Sequence, residues 1–205
     1  MKKQIFRGIL LTCCSLLFYN LPLLAQTSTS DSLTIWLDYA CFKFITPDTK
    51  NVPVRNPKLA YVEIYYALDR SQLSFPASDT ERISILSLVM KIEDKKNQMV
   101  DSLNWKVGCR VPSEDTTSGL NYIFYDLQEV ELLAGEYSLD FQVTEEKTNK
   151  KAHQKITLQV PDFSGNQLEL SDIELVSSAE PETSQTKFLK AARKILPNPT
   201  RIFGA

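Results

Sequence analysis

The sequence predicts an all-β protein, an antiparallel β-sandwich, and three features carry that expectation. Seven runs rich in β-branched, aromatic and alternating apolar residues follow one another at short spacing. Turn-forming segments separate them, and no long 3.6-residue apolar repeat lies between them.

The first 25 residues stand apart. Lys2, Lys3 and Arg7 precede an uncharged apolar stretch that closes on Leu23-Leu24-Ala25, and a polar Thr-Ser-Thr-Ser-Asp run follows Gln26. This order is that of a secretory signal peptide (residues 1–25) cleaved after Ala25, which implies export to the periplasm or cell surface. Pro22 breaks the stretch, whose length is marginal for a membrane anchor, so no transmembrane span is expected once the signal is removed. Cys13 and Cys14 lie inside the apolar run and lack the setting of a lipid-acceptor cysteine.

Residues 26–32 form a polar leader, and the sandwich is expected over 33–160. Its runs are Leu33–Ile45, Leu59–Leu68, Ile83–Ile92, Met99–Val111, Leu120–Leu132, Tyr137–Val143 and Lys155–Val160. In the fourth, Leu103, Trp105, Val107, Cys109 and Val111 share one face and Asn104, Lys106, Gly108 and Arg110 the other, the pattern of a sheet with one wet face. The first run is apolar on both faces, which predicts a bulge or a crossing from one sheet to the other. Leu133-Ala134-Gly135-Glu136-Tyr137 turns the chain into an inward-facing Leu139, Phe141, Val143 series. That arrangement points to a tyrosine corner at Tyr137 and makes the sandwich immunoglobulin-like.

Beyond Val160 the composition changes. Pro161–Gly165 reads as a linker, Leu168–Ser177 as a new apolar alternation, and Phe188–Leu196 as a candidate short amphipathic helix ended at once by Pro197-Asn198-Pro199. Residues 161–205 are too few to bury a core alone. They either pack on the sandwich or are the incomplete start of a second β domain.

The chemistry-bearing residues do not assemble into a catalytic pattern. His153, the one histidine among 205 residues, sits in a Lys-rich setting and reads as a solvated turn residue with no carboxylate holding it. Of the acidic pairs Glu93/Asp94, Glu114/Asp115, Glu129/Glu131 and Glu145/Glu146, the third shares a strand face and the second lies in a loop. None has the separation of a glycosidase pair or the ligand spacing of a calcium loop. Six scattered glycines form no phosphate cradle. No catalytic residue, metal site or cofactor is therefore expected. The 23 basic residues lose Lys2, Lys3 and Arg7 with the signal and then face 25 acidic ones, a net of −5 that excludes a nucleic-acid partner of ordinary type. Cys41 and Cys109 are either a disulfide of the oxidising compartment or two buried thiols.

Several blocks together resemble the GWxTD-domain proteins. They are Val62–Leu68 with Ser71–Phe75, Leu133–Leu139, Val160–Ser164, Leu170-Ser171-Asp172-Ile173-Glu174-Leu175 with Ser177-Ser178, and Pro197-Asn198-Pro199 with Phe203-Gly204. The resemblance implies an exported protein of Bacteroidetes-like bacteria with β-sandwich regions ahead of a C-terminal Gly-Trp-x-Thr-Asp domain, and it brings no catalytic residues. The chain has no Gly-Trp dipeptide, so the resemblance implies an N-terminal fragment. The expected role is a non-catalytic module that binds or positions an envelope protein or glycan. The alternative is an accessory domain of an envelope enzyme whose catalytic part lies elsewhere.

Overall fold

A computed structural model describes residues 32–43, 58–75, 81–112, 122–165, 170–184 and 186–203. The expected signal peptide with Ala25, and Glu114 and Asp115, lie outside the described residues. Among them no helix is long and apolar enough to cross a membrane.

The described residues form ten strands: β1 (Ile35–Lys43), β2 (Leu59–Asp69), β3 (Glu81–Asp94), β4 (Met99–Pro112), β5 (Ile123–Leu133), β6 (Gly135–Glu145), β7 (Lys151–Val160), β8 (Val176–Pro181), β9 (Leu189–Lys190) and β10 (Arg193–Pro197). A single turn of 3-10 helix, Arg70–Gln72, follows β2. β1, β2 and β5 make a three-stranded antiparallel sheet in the order β1-β2-β5. A four-stranded sheet runs β4-β3-β6-β7, and a small third sheet runs β8-β10-β9. The fold is all-β and sandwich-like.

Side chains alternate across a strand, so each sheet turns one apolar row inward. Ile64, Tyr66 and Leu68 of β2 meet Leu86, Leu88, Met90 and Ile92 of β3 and Leu139, Phe141 and Val143 of β6 in one buried cluster. Tyr66, Trp105 and Phe141 form its aromatic centre, with ring centroids 5.0 to 6.2 Å apart. In β4, Cys109 and Val111 are buried, Leu103, Trp105 and Val107 half-buried, and Asn104, Lys106, Gly108 and Arg110 exposed, as the alternation requires. The turn from β3 to β4 is closed by Asp94, whose Oδ1 accepts the Lys96 and Gln98 amides, while Asn97 takes φ 58°.

The double-faced first run has a different cause from the expected bulge. β1 pairs with β2 without a register shift from Ile35↔Leu68 to Lys43↔Ala60. Its second apolar face is covered because residues 170–203 lie over the outer side of the β1-β2-β5 sheet. Ala40, Tyr65 and Leu127 form a second buried cluster there, packed by Phe42 and Phe188. The crossing between sheets occurs just upstream, where Ser32 bridges Lys151 of β7 in parallel.

The Phe188–Leu196 segment, a candidate helix by its amphipathic pattern, is instead a hairpin of β9 and β10. Lys190 pairs with Arg193 across Ala191 and Ala192, whose φ values of 48° and 58° are left-handed. Of the described residues in the Leu168–Ser177 alternation only Val176 and Ser177 enter a strand, while Leu170 and Ile173 are exposed.

Cys41 and Cys109 are both buried free thiols. A disulfide between them is ruled out by placement: β1 stacks against β7 at one side of the sandwich, whereas β4 is the opposite edge of the facing sheet, beyond β3 and β6.

Candidate functional site

The densest set of polar side chains lies between the outer face of the β1-β2-β5 sheet and the C-terminal segment. The odd-numbered residues of β2 point outward, and Glu63 among them is buried at 3% exposure. An isolated buried carboxylate is costly, and paired geometry offsets that cost. Lys190, at the tip of the β9–β10 hairpin, places its ammonium between Glu63 and Glu174, the latter at 2.6 Å. The same ammonium lies 5.3 Å from the Phe42 ring centroid and 5.8 Å from that of Tyr65. The Tyr65 phenol donates to Glu63 at 2.6 Å. Burial, then the Glu63 carboxylate, holds that phenol far above its ordinary range. Tyr61 is raised in the same way by burial first, then by Glu129 and Glu63. Burial pushes the Glu174 carboxyl up, Lys190 pulls it down, and the Glu63 charge adds to the rise.

A second cluster sits at the β5 edge. Asp126, 2% exposed, accepts from the Tyr66 phenol and pairs with Lys187 from the C-terminal segment. The Trp105 indole donates to the Tyr66 oxygen at 3.3 Å. Lys187 also lines a pocket with Leu127, Gln128 and Glu129. The third cluster surrounds Glu145, fully buried at the end of β6. Its carboxylate accepts the Ser74 amide at 2.5 Å, the Ser84 hydroxyl at 2.9 Å and the Thr148 hydroxyl.

The residues weighed from the sequence are distributed as follows. Glu129 faces Glu63 across the β2–β5 register and Glu131 faces Tyr61. Glu145 is buried, whereas Glu146 is exposed and pairs with Lys106. His153 is not a turn residue: it lies in β7, and Asp140 of β6 sits 2.9 Å from its Nε2. The sequence hid that pair because β6 and β7 bring together residues thirteen apart in the chain. The Tyr137 phenol, where the tyrosine corner is expected, donates to the Leu133 carbonyl at 2.9 Å, and a Cβ on Gly135 would lie 3.5 Å from the same ring. No group of three metal-ligating side chains occurs among the described residues. Lys187 and Lys190 were missed altogether. Their only sequence signal was the cation pattern flanking Phe188.

No family model matches this chain. No curated protein matches it either. Among solved structures it is similar to a Bordetella pertussis protein provisionally called ApaA, at 9% identity and a TM-score of 0.35, covering 63% of this chain and 96% of that one. It is likewise similar to a structural-genomics target solved by X-ray, at 7% identity and a TM-score of 0.35, covering 68% and 96%. Neither likeness is close enough to carry an argument.

Chemically, the three clusters hold the molecule together. Each buried carboxylate accepts from a distant segment: Glu63 from Lys190, Asp126 from Lys187, Glu145 from Ser74 and Ser84. Apposing these segments is what the arrangement does.

Proposed function

We propose that the chain is an exported, non-catalytic, immunoglobulin-like sandwich that binds or positions a protein or glycan of the bacterial envelope. The observation that carries the reading is that buried charge is spent on fixing the C-terminal segment to the sheet rather than converging on a cavity. The topology supports the immunoglobulin-like part. Lettered in chain order, β1-β2-β5 over β4-β3-β6-β7 reads A-B-E over C′-C-F-G, with Tyr137 at the start of F. The N-terminal signal pattern supports export, and the sequence blocks quoted above support kinship with the GWxTD-domain proteins.

The test is retention. The mature chain, immobilised, should hold one protein or glycan species from envelope extract, displaced by soluble mature chain, and a blank column sinks the reading. One observation favours the accessory-domain alternative: Leu170, Ile173, Ile202 and Phe203 are 59 to 86% exposed, a surface suited to a neighbouring domain. A hydrolase screen on a longer homologue, with and without the sandwich, decides that alternative.

A further inference from the structure

Charge is sorted across the contact between the β1-β2-β5 sheet and the C-terminal segment. Strand alternation puts Phe42, Tyr61 and Tyr65 on the outer face with Asp38, Glu63 and Glu129, and no Lys, Arg or His of these three strands shares that row. The segment lying on it is the converse. Residues 186–203 carry Lys187, Lys190, Arg193, Lys194 and Arg201 and no acidic residue. Lys190 meets Glu63, Lys187 meets Asp126 at the β5 edge, and Arg201 holds Asp38 through Nε at 3.0 Å and Nη2 at 2.7 Å. Residues 170–175 are tied to the β1 edge separately: the Asp172 carboxylate accepts the Cys41 amide at 2.8 Å and Ser171 Oγ the Lys43 amide at 3.2 Å. Residues 186–203 can therefore leave the face without them.

The seat of Lys190 is built on the sheet. Phe42, Glu63 and Tyr65 come from β1 and β2, which pair without a shift, and Glu63 and Tyr65 are each 3% exposed. Two rings beside a carboxylate that a phenol orients make a receptor for a lysine ammonium. What fills the receptor is held less firmly. Of the described residues from 170 to 203 only Pro197, Asn198 and Pro199 are buried, while Phe188, Leu189, Ile195 and Leu196 are half-buried. The Lys187 and Arg201 side chains are 48% and 65% exposed, so water weakens both pairs. The turn after Lys190 keeps Ala191 and Ala192 left-handed, which costs alanine free energy. Strain of this kind gathers at clamps and switches, and a segment that docks without that turn is spared it.

We propose that the outer face of β1-β2-β5 is a site for a basic segment of a partner protein, and that residues 186–203 are its occupant in cis, which the partner displaces. The partner segment carries two lysines flanking an aromatic residue, as Lys187-Phe188-Leu189-Lys190 does. One lysine enters between Phe42, Tyr65 and Glu63, and the other meets Asp126. A second copy of this chain is a poorer occupant. Its 186–203 segment would make the contacts that the tethered one already makes, and association would cost further freedom. The inference rests on the interaction reading above and names its surface.

The test is binding of a labelled synthetic peptide of sequence 186–203 to the full mature chain, read by fluorescence anisotropy, against the same peptide with Glu at its five cationic positions. The first should bind, and the charge-reversed one about hundredfold more weakly. Binding should speed exchange of the chain's own Asn198 amide, which in the closed form donates to the Leu175 carbonyl at 2.8 Å. Ala191→Asn with Ala192→Gly relieves the turn and closes the chain's own segment more firmly. It should weaken peptide binding by about 5- to 30-fold, although both alanines are exposed. No binding, equal binding of the two peptides, unchanged exchange at Asn198, or unchanged affinity in the Asn-Gly variant overturns the proposal. So does a concentration-dependent dimer that the peptide dissociates, which would make a second copy the occupant. Release of the retained envelope species by peptide 186–203 supports the proposal. If the peptide displaces the chain's own segment yet leaves that species bound, the partner sits elsewhere, this inference falls and the interaction reading stands. Displacement by the peptide with a blank retention column sinks the interaction reading instead.

Discussion

Lys190→Met tests whether the C-terminal segment is held by the buried charge cluster. Methionine keeps most of the aliphatic stem over Phe42 and Tyr65 and deletes the ammonium. Glu63, with a side chain 4% exposed, and Glu174, 12% exposed, are then left facing each other with no cation between them. Removing one partner of a buried pair costs about 3–5 kcal/mol. The Lys190 side chain is itself 30% exposed, so water screens part of the loss and the lower end applies, about 3 kcal/mol. For a domain of this size that is a drop in Tm of about 6–12 °C. Calorimetry measures it, and the double variant Glu63→Gln with Lys190→Met should recover most of the loss, since a buried pair replaced as a whole is close to neutral. Hydrogen exchange should place the opening at β8–β10 and the outer face of β2 first. A loss under about 1 kcal/mol, or a double variant no better than the single one, refutes the reasoning.

Other expectations follow from single features. The Ala191-Ala192 turn has both residues left-handed, at roughly 1–2 kcal/mol each, so Ala191→Asn with Ala192→Gly should raise stability by about 1–2 kcal/mol in denaturant titration. Cys41 and Cys109 should resist a thiol reagent in the native protein and react together on unfolding. Both are fully buried, and burial, then Asp172, pushes the Cys41 thiol up to about 12. Glu174, whose folded pKa lies above the unfolded value of 4.5, contributes stability that is present below that value and lost as pH rises through the folded one. The Tm advantage of Glu174→Gln relative to wild type should therefore shrink as pH falls from about 8 to about 5.

Much of the sandwich was legible because alternation is a local signal. The Leu103–Val111 series predicted the buried face of β4 residue by residue, and Gly135-Glu136-Tyr137 predicted the turn into β6. What was not legible depends on contacts between distant segments. Nothing near Leu33–Phe44 says that its second apolar face is covered by residues 170–203, so a bulge was the better local explanation. The Asp140–His153 pair exists only because β6 and β7 share a register. The candidate site was least legible of all. Glu63 looks like one more strand carboxylate until Lys190 arrives, and Lys190 sits in a hairpin whose Ala-Ala turn lacks the Asn-Gly signature that would have announced it.

The cover over the outer sheet face has a consequence for the order of folding. The bonds that seat it join residues far apart in sequence: Asp172 to Cys41 spans 131 positions and Arg201 to Asp38 spans 163. Closing such loops is slow, whereas the β3–β4 and β6–β7 hairpins close locally. During synthesis, β1, β2 and β5 are complete before residue 170 emerges. Through that interval Phe42, Tyr65 and Leu127 face water, and the Cys41 and Lys43 amides offer an unguarded strand. A nascent chain of this protein thus passes through a sticky, half-dressed stage. Pulsed hydrogen exchange during refolding should show the Leu88 and Phe141 amides protected before those of Cys41 and Lys43, which the 171–172 segment bonds. Simultaneous protection of all four would mean that the cover forms along with the core.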